Sequence, residues 1–256
     1  MKNAANGSMQ TQGKPFSWVV LVATLITMAV TARLGWWQLD RAAEKNHRAE
    51  QLAALQSEPA WQWDDLRQDA QRWQMVHHAV VLSGEWRHDL TFFLDNRPHQ
   101  GQVGFWAFTP LVLPDGSWVL VKRGWQVRDP IDPTRVPQLP KPSGKVTVKG
   151  RIDVEPPQWM TLSAKESRPR HPTEQHKILD NVSLSELSQV WHQPLHGVVL
   201  QTDPSEPGLR RDWPAVDFKV STHWGYAFQW FALSLTAGLL YVWYQWLRPA
   251  RKQEHE

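Results

Sequence analysis

FSWVVLVATLITMAVTA, Phe16 to Ala32, is a run of 17 residues without a charge, and WGYAFQWFALSLTAGLLYVWYQWL, Trp224 to Leu247, is a second run of 24. At about 1.5 Å of rise per residue the two reach roughly 26 and 36 Å, against a hydrocarbon core about 30 Å thick. Both lengths predict membrane-spanning helices. Leu34, Gly35, Trp36 and Trp37 extend the first, while Arg33 can snorkel to the headgroups. The rival reading of the first run is a cleaved signal peptide, because Val30-Thr31-Ala32 resembles a small-residue cleavage site. Against it, the apolar part of such a peptide is only about 7 to 15 residues long.

Working outward, the tails decide the orientation. Residues 33 to 223 hold 23 Lys+Arg and 23 Asp+Glu, so the net charge of +3 arises outside them. Lys2 and Lys14 precede the first run, and Arg248, Arg251 and Lys252 follow the second. Basic flanks stay in the cytoplasm, so both termini are expected inside and the middle outside. The expected organisation is a cytoplasmic tail at 1–14, a transmembrane helix at 15–35, a periplasmic domain at 36–222, a second transmembrane helix at 223–247 and a cytoplasmic tail at 248–256. The chain is then expected to be an integral inner-membrane protein with two spans.

The mean hydropathy of −0.50 reflects the polar middle, and the pI of 9.2 is a topology signal. No basic stripe interleaved with stacking aromatics appears in the middle, which argues against nucleic acid as a partner. Cysteine is absent, which excludes disulfides, thiolate nucleophiles, Cys-ligated metals and covalently attached c-type haem. The middle must therefore be held by its own core, for which about 190 residues are enough.

After the first run, Gln38 to Gln56 is dense in Ala, Leu, Glu and Arg and reads as a helix running off the membrane, closed by Pro59. From Trp73 short apolar runs broken by Gly, Pro and Asp predict strands near Gln74–Leu82, Thr91–Asp95, Gly104–Leu113, Trp118–Val127, Val146–Asp153 and Gly197–Gln201. Asp115-Gly116 is a hairpin turn signal. A Pro-rich connector runs from Pro130 to Pro142, and a polar loop from Ser163 to His176. Ser183-Leu-Ser-Glu186 is a capping-box pattern opening a short helix to Trp191. The fold class is α+β, two transmembrane helices flanking an antiparallel-sheet domain.

No GxSxG, GxxxxGK[ST], GxGxxG or HExxH motif occurs in the middle. His77-His78, read as strand neighbours, would point to opposite faces, and Pro194 breaks the helix that His192 and His196 would need to chelate together. Arg97 and Arg123 lie at the ends of strand-like segments, where sheet-edge ion pairs are the expected role and anion binding the alternative. Most of the 17 Trp read as core or as an interfacial belt. His223 stands apart, at the outer mouth of the second run. On a helix it shares a face with Trp230, with small Ala227 between them and Tyr226 beside. A flat ligand fits such a groove with the imidazole on its metal. An interfacial histidine resting among headgroups is the other reading of the same residue.

Leu34-Gly35-Trp36-Trp37-Gln38-Leu39-Asp40-Arg41, with Glu44-Lys45, resembles the LGxWQxxR segment of the Surfeit locus cytochrome oxidase assembly proteins. Asp95-Asn96-Arg97 with Gly101 and Gly104, Val121-Lys122-Arg123-Gly124-Trp125, and Gly150-Arg151 with Pro156-Pro157 follow in the family's order. Arg211-Asp212-Trp213-Pro214 and His223-x-x-Tyr226-Ala227-x-x-Trp230-Phe231 complete the series, so the resemblance covers about residues 17 to 247. Lys122 departs from the small or polar residue common at its position, and Trp36-Trp37 doubles an aromatic. The resemblance implies a non-enzymatic assembly factor that binds haem a transiently and assists its insertion into the catalytic subunit of haem-copper oxidase. Haem a synthase is a further expected partner, beside membrane lipid. The resemblance also implies haem binding by His223, as ligand of the iron, and by Trp230; Tyr226, beside them on the helix, offers a further flat surface. Two rivals remain: a haem-independent chaperone that docks on the same subunit, and a membrane-anchored envelope enzyme using Arg97 and Arg123 to bind an anion.

Overall fold

The computed structural model describes residues 17–157, 171–214 and 216–247. The tails at 1–14 and 248–256, and most of the loop at Ser163–His176, lie outside the described residues. The chain divides into two compact units, one of residues up to Glu50 together with those from Asp217 onward, the other Gln51–Val216.

The first unit is built from α1 (Trp18–Ser57) as far as Glu50 and from α4 (Val220–Val242), the latter continued by a π-helical turn at Trp243–Leu247. The apolar run and the following Ala/Glu-rich segment are one continuous helix of 40 residues, ending two residues before Pro59. Among the described residues α1 is the one helix long and apolar enough to cross a membrane. α4 mixes His223, Gln229, Ser234 and Thr236 into its apolar sequence and falls short of that measure.

The two helices pack antiparallel through small side chains. Gly35, Gln38 and Ala42 are the buried residues of α1, and Ala227 and Ser234 those of α4. Ser234 Oγ donates to Met28 O at 3.1 Å, and Trp36 meets Phe231 edge-on at 5.9 Å between ring centroids. The large apolar side chains face the other way: Val19, Ile26, Trp36, Phe228, Leu235 and Leu239 are all exposed. Small residues inside and bulky apolar ones outside invert the pattern of a helix pair in water.

The second unit is a seven-stranded sheet made of β1 (Ala79–Trp86), β2 (Phe92–His99), β3 (Gln102–Val112), β4 (Trp118–Val127), β5 (Lys145–Asp153), β6 (Ile178–Leu179) and β7 (Leu195–Gln201). Its two helices are α2 (Trp63–Gln68) and α3 (Leu184–Trp191). The spatial order is β1-β5-β7-β4-β3-β2-β6, and the end of β3 returns to β1, where Glu85 faces Val112 and Trp86 faces Leu111. Five strands thereby close into a barrel, the arrangement of the small Greek-key barrels that include the OB-fold. Val80, Leu82, Leu111, Val119, Val121, Val148, Ile152 and Val199 fill it, alternating along their strands as a period of two demands. A second layer lies outside, where Leu187 of α3 packs with Phe92, Phe108, Leu120 and Val198.

Four expectations need correcting. The sheet is mixed, not antiparallel: β4 runs parallel to β7, and β2 parallel to β6. After β5 the chain passes through β6 and α3, so β7 pairs antiparallel with β5 on one side and parallel with β4 on the other. The first strand starts at Ala79, because Ala70–Gln74 form a 3₁₀ turn and His77 takes φ of 76°. At α3 Ser183 is the N-cap but its hydroxyl lies 2.7 Å from Ser185 Oγ, and Glu155 Oε1 accepts from Leu184 N at 2.6 Å instead. Arg97 and Arg123 are not edge residues, since they are 2% and 1% exposed on internal strands. The hairpin turns match their chemistry: Gly116 has φ of 85°, and Gln100-Gly101, with φ of 47° and 78°, form a two-residue turn between His99 and Gln102.

Candidate functional site

His223 sits in the first turn of α4. Lys219 precedes the helix with φ of 50° and its N–H donates to Asp217 Oδ1 at 2.7 Å, which sets where the helix starts. The imidazole is half-buried, and its Nδ1 lies 2.7 Å from Oε1 of Gln38 on α1. A carboxamide oxygen only accepts, so Nδ1 is the donor of this bond, and in the neutral ring Nε2 then holds the lone pair. Nε2 makes no hydrogen bond among the described residues.

The helix brings the other expected residues alongside. Ala227 is buried at 2% exposure, Trp230 is half-buried and Tyr226 is 49% exposed. At about 100° per residue, His223, Trp230 and Tyr226 span roughly 60° of the helix surface, with Tyr226 outermost. Gln38 was not among the residues expected at the site. The available signal was its place in the Gly35-Trp36-Trp37-Gln38 segment, but nothing in that segment names a partner 185 positions away.

The donor offered here is one imidazole nitrogen, which is enough for an axial bond to a haem iron. Among the described residues no group of three or more His, Asp or Glu side chains gathers to hold a metal. A porphyrin brings four nitrogen ligands of its own and asks the protein for one or two axial atoms, which a single unengaged imidazole nitrogen supplies.

The other histidine pairs singled out in the sequence form no shared donor set. His78 stacks on Trp61 with centroids 3.5 Å apart, and its ring nitrogens lie 2.9 Å from Ala79 O and 3.1 Å from Glu58 Oε2. Burial and the nearby Arg151 push the pKa of His77 down. His192 ends α3 in the left-handed conformation, while His196 lies on β7 with its ring against Trp63, so the two share no helical face.

The remaining motif residues converge on a bulge in β4. Phe108 faces Lys122 and Ala107 faces Gly124, which leaves Arg123 as the extra residue. Its guanidinium lies 4.8 Å from the ring centroid of Trp86 and donates to Pro140 O at 3.1 Å; burial brings its pKa down to about 10. Arg211 donates to Arg123 O at 2.6 Å and to Glu206 at 3.0 Å. Trp125 Nε1 donates to Arg97 O at 2.6 Å, and Arg97 stacks over Trp106. Lys122 Nζ lies 3.7 Å from the Trp106 centroid and 5.0 Å from that of Trp213, and bonds Asp153 at 3.2 Å. Burial holds its pKa below the ordinary value while Asp153 pulls the other way. These buried cations clamp segments distant in sequence against one another.

Relatives place these observations in a family. The chain matches the model of the SURF1 family over residues 25–235. It is 28% identical over 106 residues to a SURF1-like protein of Rickettsia felis, covering 41% of this chain and 45% of that protein. It is 26% identical over 121 residues to cytochrome oxidase assembly protein SHY1 of Saccharomyces cerevisiae, covering 45% of this chain and 30% of that protein. The matching stretch is thus less than half the length of either relative. With 25–235 matched in one span that takes in the barrel and both helices of the candidate site, the chain belongs to the SURF1 family.

Proposed function

We propose that the protein is a membrane-bound, non-enzymatic assembly factor for haem-copper cytochrome c oxidase, which holds haem a as cargo at His223 and hands it to the catalytic subunit. Membership of the SURF1 family, with a relative named as an oxidase assembly protein, supports the pathway. The observation that carries the haem reading is His223 itself, with Nδ1 engaged by Gln38 and Nε2 left to bind iron. Haem contributes an iron that accepts an axial nitrogen. Trp230 and Tyr226 offer flat surfaces on which the macrocycle packs.

In this reading α1 and α4 both cross the membrane. Exposed bulky apolar side chains on both helices, with small residues between them, are what a pair packed in lipid presents. Basic tails keep both termini cytoplasmic and leave the barrel in the periplasm. Transient holding suits one axial bond, since cargo must be released to the subunit.

Haem a content of oxidase in membranes from wild-type and deletion strains tests the proposal. It predicts an oxidase subunit depleted of haem a in the deletion strain, restored by the wild-type gene and not by His223→Ala. Restoration by His223→Ala favours a haem-independent chaperone docked on the same subunit.

A further inference from the structure

We infer that Gln38 is the positioning residue that fixes His223 in its Nδ1–H tautomer and so makes Nε2 the single iron-binding atom. The use of that atom for haem rests on the proposed function; the tautomer does not. Gln38 is 9% exposed in the interface between two helices, and its carboxamide oxygen faces the imidazole at 2.7 Å. A buried acceptor requires a donor, and Nδ1–H is the one supplied here.

The register that brings the two together is held from further along the pair. Gly35, one turn before Gln38, lies against the ring of Phe231, and Ser234 donates to Met28 O. Both contacts prevent α1 from sliding or rotating against α4, so the amide cannot follow the ring if the ring turns. Two consequences follow for a bound iron. A ring held at Nδ1 keeps Nε2 pointing in one direction, and hydrogen bonding at Nδ1 raises the basicity of the ligating nitrogen. A free imidazole would divide between tautomers and offer iron either nitrogen.

The test uses the full chain in nanodiscs, with histidine labelled by ¹⁵N and the His223 signals assigned by their loss in His223→Ala. Wild type is expected to show a protonated Nδ1 and an unprotonated Nε2. Gln38→Leu, which removes the acceptor at similar volume, is expected to lose that preference, and Gln38→Glu, which keeps an acceptor oxygen, to retain it. Protonation of Nε2 in wild type, or the same tautomer in Gln38→Leu as in wild type, overturns the inference. A second measurement titrates hemin into the same three proteins. Gln38→Leu is expected to bind about 10- to 100-fold more weakly, with the reduction potential of the bound iron moved upward, and Gln38→Glu to restore both. Equal hemin affinity and potential in wild type and Gln38→Leu overturns the role toward iron. If wild type shows the Nδ1–H tautomer but holds no hemin, the haem reading of the function falls while the assignment of Gln38 stands.

Discussion

Gly35 of α1 lies directly against the ring of Phe231 on α4: a Cβ built on Gly35 would stand 2.9 Å from Cζ of that ring. Any larger side chain must push the phenylalanine aside, and with it the helix that carries His223. Gly35→Leu is therefore expected to destabilise the pair by about 1–3 kcal/mol, the usual cost of overpacking a close interface. Because the chain has no native cysteine, the check is clean. Met28→Cys with Ser234→Cys should form a disulfide readily in the otherwise native chain, and its yield should fall when Gly35→Leu is added.

Lys122 and Asp153 form an ion pair whose side chains are 12% and 14% exposed. Removing one partner from a pair this buried leaves a charge with little solvent, so Asp153→Asn is expected to cost about 3–5 kcal/mol in thermal or denaturant unfolding. Lys122→Met combined with Asp153→Leu should recover most of that loss. The pH dependence follows from the depressed pKa of Lys122, whose largest cause is burial. Folding favours its neutral form, so this group adds stability as pH rises through its folded pKa toward 10.5. The alkaline rise should be absent in Lys122→Met.

Asp212 is held far below the ordinary carboxylate range, first by its hydrogen bond from Arg210 and then by His99. A depressed carboxylate pKa contributes stability that is fully present above the unfolded value of 3.8 and is lost as pH falls toward the folded one. Asp212→Asn should lower the melting temperature at pH 7. Between about pH 4 and pH 2 it should lose less further stability than wild type, so the two melting curves draw together.

The local elements were legible in the sequence and their partners were not. The apolar run at Phe16–Ala32 marked α1, the strand Trp118–Val127 has the expected bounds, and Asp115-Gly116 turns where such a pair should. Periodicity reports which face of a strand is buried and says nothing of which strand lies beside it. The parallel pairing of β4 with β7, and the return of Val112 to Glu85 that closes the barrel, were therefore invisible. Arg97 and Arg123 were misplaced for a related reason. Arginine is seldom buried, and only the assembled fold supplies the tryptophan faces and carbonyls that receive them. At the site, a 3.6-residue period set His223 and Trp230 on one face of α4, whereas Gln38 belongs to another helix and required the packing of both.

The central claim is that His223 binds haem iron through Nε2. The most direct measurement is the Soret absorption of the full-length protein purified from cells that make haem a, for wild type and His223→Ala at equal folded content. A Soret band is expected in wild type and is expected to be lost or greatly reduced in His223→Ala. A wild-type protein without the band, or a band unchanged in His223→Ala, would contradict it.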